Sequence, residues 1–86
     1  MHSNQHLLKI APEYFTAIVD GRKKFEVRLN DKNFQVNDIL LLSEWCNGMY
    51  SGRVITAKIT YTLKDTSFVK EGFIVMSIAV MNVFQV

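Results

Sequence analysis

Gly21-Arg22-Lys23-Lys24-Phe25-Glu26-Val27-Arg28 is the stretch whose reading decides the fold. A β-strand repeats every two residues, so Glu26 and Arg28 leave the backbone on one face while Phe25, Val27 and Leu29 leave on the other. The expectation is a strand with one packed apolar face and one face presenting charge. Upstream, Tyr14, Phe15, Ile18 and Val19 recur at helical spacing, with Pro12 and Glu13 in the first turn, where a missing N–H and a carboxylate are both tolerated. Gly21 then supplies the left-handed residue that ends a helix of about ten residues. Leu7-Leu8-Lys9-Ile10 reads as a short strand leading into that helix.

Downstream, Asn30-Asp31-Lys32-Asn33 and Asn37-Asp38 have turn composition, and Ile39 to Trp45 is a largely apolar second strand. Asn47-Gly48 is a strong hairpin signal before a third alternating strand, Arg53 to Leu63. In that strand Ile55, Ala57, Ile59 and Tyr61 share one face, which assigns Tyr61 to the core. Lys64 to Gly72 reads as a loop, and Phe73 to Phe84 is apolar on both faces, as a central buried strand would be. The order β-α-β-β-β-β predicts an α+β domain over residues 1–86, a small twisted or partly closed barrel with one N-terminal helix.

Composition narrows the function classes. An 86-residue chain that is 49% hydrophobic has room for one core. No apolar run reaches the roughly 20 residues needed to span a bilayer as a helix, so no membrane association is expected. The first five residues do not resemble a secretory signal, and a single Cys46 cannot form an internal disulfide, which together point to the cytoplasm. A net charge of +2 does not by itself indicate nucleic acid, but its distribution does more. Arg22, Lys23, Lys24, Arg28 and Lys32 place five of the ten basic residues within eleven positions, a patch suited to phosphates or simply a charged sheet edge.

Lys23 at the end of the helix and Glu26 and Arg28 on the strand converge donors and acceptors in a small space. Arg28 can grip a phosphate or base edge with two parallel hydrogen bonds, Lys23 can act as a point charge, and Glu26 can accept from an exocyclic amine. The plainer alternative is that Glu26 and Arg28 neutralise each other along the strand for at most about 1 kcal/mol. Other candidates are weaker. His2 and His6 lie near the terminus without further metal-ligand spacing, so no metal or cofactor is expected. Cys46 has no base beside it in sequence, and Trp45 and Tyr50 flank a turn and stay open as candidates either for stacking on bases or for packing.

The spacing Gly-x-Lys-x-x-Glu-x-Arg, met by Gly21, Lys23, Glu26 and Arg28, resembles the signature of ASCH domains in the PUA-like superfamily. The likeness extends through His6 to Ile10, Pro12 to Phe15, Phe25 to Arg28 with Asn30 and Asp31, Phe34 to Asp38, Ser51 to Arg53 and Ile59 to Tyr61, and it is to a small branch often encoded by phages and bacteria. It implies a PUA-like barrel and an RNA- or nucleotide-binding cleft between helix and barrel, bordered by Lys23, Glu26 and Arg28, with Arg22 and Lys24 as added phosphate contacts. Asn30 and Asp31 are expected to order the following loop rather than to touch ligand. Some ASCH proteins deacylate acetylated cytidine with a threonine nucleophile at the position held here by Glu26, and a carboxylate is a poor replacement. A hydrolase using Lys23 and Glu26 as an acid and base pair on a modified nucleoside or RNA is therefore the first rival. A phage-type module engaging a host protein is the second.

Overall fold

The computed structural model describes residues 4–86. Its elements are β1 (Gln5–Ile10), α1 (Pro12–Val19), β2 (Phe25–Leu29), β3 (Ile39–Cys46), β4 (Met49–Leu63) and β5 (Phe73–Gln85). The five strands form one sheet in the order β1-β3-β4-β5-β2, curled into a half-barrel. The expected α+β, partly closed barrel is thus the observed architecture. β1 runs parallel to β3, and every other pairing is antiparallel. Because β1 and β2 end the order, the barrel remains open between them.

Local chemistry explains the elements. Pro12 opens α1, and the Ala11 carbonyl accepts from the Tyr14 and Phe15 amides at 3.1 and 2.9 Å. The helix is eight residues long, a little shorter than expected, and buries Phe15 and Ile18 while Tyr14 and Val19 stay half exposed. At its end Gly21 takes φ +82°, and the amides of Arg22 and Lys23 both return to the Ala17 carbonyl. That wrap turns the chain through the left-handed region and delivers Lys23 to the start of β2. No atom lies within 4 Å of a Cβ built on Gly21, so its requirement is conformational rather than steric. Gly21→Val is expected to lower stability by about 1 to 2 kcal/mol, read as a lower midpoint in thermal melting, and an unchanged midpoint would contradict this.

Asn47 and Gly48 both have positive φ, 53° and 78°, which is the turn geometry that matches strand twist in a two-residue hairpin. The hairpin joins Cys46 to Met49 and sets Trp45 directly opposite Tyr50. Asn30 orders the loop after β2, its side-chain oxygen accepting from the Phe34 amide at 3.1 Å. Phe34 thereby enters the core, where it is 2% exposed, alongside Leu40 and Leu42 of β3, Ile55 and Ile59 of β4 and Ile74 and Met76 of β5.

Three expectations are corrected. First, β2 alternates as its period requires, but in the opposite sense. Phe25, Val27 and Leu29 are about half exposed on the outer face, and Glu26 is 3% exposed on the inner one. Second, Tyr61 is not core: a register shift between Ile59 and Tyr61 slips the alternation, so Tyr61 sits on the outer face opposite Ser77, 65% exposed. Third, β5 is buried only through Ile78. Beyond it the side chains on both faces are exposed, and β2 pairs with β5 only from Phe73 to Ser77.

Candidate functional site

β2 borders the opening of the barrel, and its inner charges fill it. The Glu26 carboxylate is buried, with its two oxygens divided between two cations: Lys23 Nζ donates to Oε1 at 2.5 Å, and Arg28 Nε donates to Oε2 at 2.9 Å. Lys23 also donates to the Phe25 carbonyl at 2.6 Å, leaving one ammonium proton uncommitted. Arg28 reaches across the gap and donates from Nη2 to the Lys9 carbonyl on β1 at 3.0 Å. Its Nη1 has no partner among the described residues. A cleft of about 490 Å³ lies over this cluster, lined by Lys9, Ile10, Ala11, Tyr14, Lys23, Phe25, Glu26, Val27 and Arg28.

The geometry unites Lys23, Glu26 and Arg28, as their spacing suggests, but with a different balance of burial. The Lys23 and Arg28 side chains are only 16% and 24% exposed, so they are held groups rather than solvated charges. Burying a carboxylate costs several kcal/mol unless its lone pairs are filled, and here both oxygens are. The cluster carries a net charge of one positive unit, with donors left over on Lys23 and Arg28. Tyr14 and Phe25 flank it as half-exposed rings, with Lys23 Nζ 5.7 Å and 4.8 Å from their centroids. Cationic donors beside aromatic faces suit a planar ligand bearing an anion.

Arg22 and Lys24 do not line this cleft. Arg22 is turned to the surface, where its Nε bonds both oxygens of Asp20 at 2.9 and 3.0 Å; that ion pair lowers the Asp20 pKa and raises that of Arg22. Lys24 is exposed, and its backbone carbonyl accepts from the Ile78 amide instead. Trp45 and Tyr50 are spent on each other, edge to face at 4.6 Å, with the Lys9 ammonium 3.9 Å above the Trp45 ring. Cys46 is exposed beside them. His2 lies outside the described residues, whereas His6 is no frayed terminus: it is buried on β1, its Nε2 2.8 Å from Asp38 Oδ2 and its ring edge-on to Phe34. Among the described residues no group of three His, Cys, Asp or Glu side chains is placed to hold a metal ion, and no helix is long and apolar enough to cross a membrane.

Sequence reasoning misses two buried carboxylates. Asp38 accepts from His6, from the Gln35 amide at 3.0 Å and from the Asn4 amide at 3.2 Å. Burial pushes its pKa up, and these three donors more than offset that, leaving it below the ordinary value. Glu44 is held by a bidentate Arg53, at 3.0 and 2.7 Å, and by the Ser51 hydroxyl at 2.6 Å. The Arg53 hydrogen bonds, followed by that of Ser51, lower its pKa. Arg53 also stacks over Phe15, 4.4 Å from the ring, and so fastens α1 to the hairpin. A charged Glu44 inside the apolar run Ile39 to Cys46 is the visible signal for this pair.

A small α+β half-barrel with a cationic cleft at its open seam is the class that fold and site define. The chain belongs to the family described as Domain of unknown function (DUF3850), whose model matches residues 5–78. It is similar to a protein of Escherichia phage P2 described as an uncharacterized 12.9 kDa protein in the GpA 3′ region, with 37% identity over 60 residues, 70% of this chain and 55% of that protein. The chain thus spans about half the length of the curated relative it matches.

Proposed function

We propose that this chain is an RNA- or nucleotide-binding module of the ASCH, PUA-like kind, with the cleft over Lys23, Glu26 and Arg28 as its site. One observation carries the reading: a buried Glu26 holds two cations at the floor of an open cleft with donors unspent. Packed apolar residues would stabilise that seam at least as well, so the charges are better explained by a ligand than by stability. The likeness of Gly21, Lys23, Glu26 and Arg28 to the ASCH signature supports the same site. In this reading the guanidinium and ammonium take phosphate, and Tyr14 or Phe25 takes the face of a base. Titration with nucleoside monophosphates, followed by amide chemical shifts, is expected to move Lys23, Phe25, Glu26 and Arg28. Absence of any shift at millimolar ligand would contradict the proposal.

The hydrolase reading is disfavoured by the same geometry. Each Glu26 oxygen already accepts from a cation, so the carboxylate is engaged in holding Lys23 and Arg28 together rather than aimed at a substrate. Incubation with acetylated cytidine is expected to give no deacetylated product by chromatography, and steady turnover would overturn the binding-module reading.

One observation favours a protein-interaction module as the second reading. Phe25, Val27 and Leu29 face outward next to Ser77, Val75 and Phe73, and Val75 is followed across the sheet by Leu63, giving an apolar outer face that no other described element covers. The nucleotide titration separates the two, since a role confined to this face leaves every nucleotide without effect.

A further inference from the structure

The proposed site does not end at Arg28. A second groove of about 210 Å³, lined by Leu8, Arg28, Leu29, Asp31, Lys32 and Phe34, lies along the same seam, and Arg28 lines both it and the larger cleft. Strand β2 borders the two in succession, giving Phe25 to Arg28 to the first and Arg28 and Leu29 to the second. The Arg28 guanidinium spans the seam from Glu26 to the Lys9 carbonyl and therefore stands between them as a bridge.

The two volumes differ in what they admit. The larger falls within the range of small-ligand sites and has room for one nucleotide, whereas the smaller is below that range and is not a separate ligand site. It suits the continuation of a ligand already anchored next door. Cations occur at both ends and at the middle: Lys23 in the larger cleft, Arg28 at the junction and Lys32 in the smaller groove. Lys32 is exposed and makes no hydrogen bond or ion pair among the described residues, unlike Arg22. The outward side chains of Phe25, Val27 and Leu29, half exposed and about 7 Å apart along β2, add an apolar rim beside both spaces.

Resting on the nucleotide-binding reading above, we infer that the ligand is an oligonucleotide segment of at least two residues. The bridging phosphate sits on Arg28, one nucleoside occupies the cleft of Lys23, Tyr14 and Phe25, and the next lies in the groove of Leu29, Phe34 and Lys32. Lys32 is a phosphate contact of that second position. Arg28 Nη1 supplies a free donor at the junction, where a phosphodiester has oxygens to accept it. Asp31 adds a negative charge to the second groove, which keeps the extension weaker than the primary cleft and tells against a doubly charged terminal phosphate there.

A ligand-length series tests this on the whole chain: uridine 3′-monophosphate, UpU and UpUpU, each titrated by calorimetry or fluorescence at several salt concentrations. UpU is expected to bind about tenfold or more tightly than the mononucleotide, since it adds a nucleoside contact without adding a phosphate. Lys32→Gln, a surface substitution that leaves Glu26 and its partners intact, is expected to reduce the ratio of UpUpU to mononucleotide affinity by several-fold and to flatten the UpUpU salt slope by about 0.7. Equal affinity for mononucleotide, UpU and UpUpU, or a Lys32→Gln variant with an unchanged ratio, would overturn the extended site while leaving nucleotide binding in place. No saturable binding of any of the three would overturn both.

Discussion

Glu26→Ala is expected to cost about 2 to 3 kcal/mol, lowering the melting midpoint by on the order of 10 to 20 °C for a domain of this size. Removing the carboxylate leaves Lys23 and Arg28, 16% and 24% exposed, facing each other across the seam with no counter-charge. Breaking a fully buried pair costs about 3 to 5 kcal/mol. The smaller figure applies because both cations retain some solvent and can turn toward it. Substituting all three together, Lys23→Gln with Glu26→Gln and Arg28→Gln, removes the charges without stranding one and is expected to cost no more than about 1 kcal/mol. A melt of Glu26→Ala within a few degrees of wild type would mean that the carboxylate is dispensable to the fold.

Asp38→Ala is the second large effect, expected at about 2 to 4 kcal/mol, because it strands three donors at one buried point: the amides of Asn4 and Gln35 and the ring of His6. These bonds tie the start of β1 to the turn before β3, so the edge strand loosens first. The same carboxylate gives a pH signature. Its folded pKa lies below the ordinary value, as does that of Glu44, so the unfolded chain binds more protons as the solution is acidified. Their contribution is fully present above the unfolded carboxylate pKa and fades from about pH 5 downward as each folded pKa is approached. Urea denaturation at a series of pH values from about 7 to about 3 should show stability falling with acid, and Asp38→Asn should make that dependence shallower. A wild type equally stable at both ends of that series, or an Asp38→Asn profile parallel to that of wild type, would contradict this assignment.

The sequence is legible where one residue type enforces one geometry. Gly21 and Asn47-Gly48 have the positive φ their positions demand, Pro12 opens α1, and Asn30 orders its loop. Glu26 and Arg28 share a face because a two-residue repeat leaves no alternative. That repeat does not say which face is inward. In most sheets the apolar row of Phe25, Val27 and Leu29 would be buried, yet here the seam of an incomplete barrel receives the charged row, and partners at the exit of α1 and on β1 make it tolerable. Tyr61 is displaced from the core face by one inserted residue in the pairing of β4 with β5, which leaves no mark in the alternation of β4 itself. The pairs His6 with Asp38 and Glu44 with Arg53 depend on strand adjacency, and adjacency follows from topology rather than from any local pattern. The second groove is hidden for the same reason, since Leu8 and Lys32 meet only after β1 and β2 come to flank one opening.

The most direct test of the central claim compares wild type with the triple Lys23→Gln, Glu26→Gln, Arg28→Gln variant in a salt titration of single-stranded RNA affinity, with thermal melts run on both. If the cleft binds RNA, the variant should melt within a few degrees of wild type yet bind weakly, and the slope of log affinity against log salt should flatten by about 0.7 for every phosphate the variant no longer holds. A folded variant with the same affinity and the same slope as wild type would show that RNA, if bound at all, is held elsewhere on the molecule.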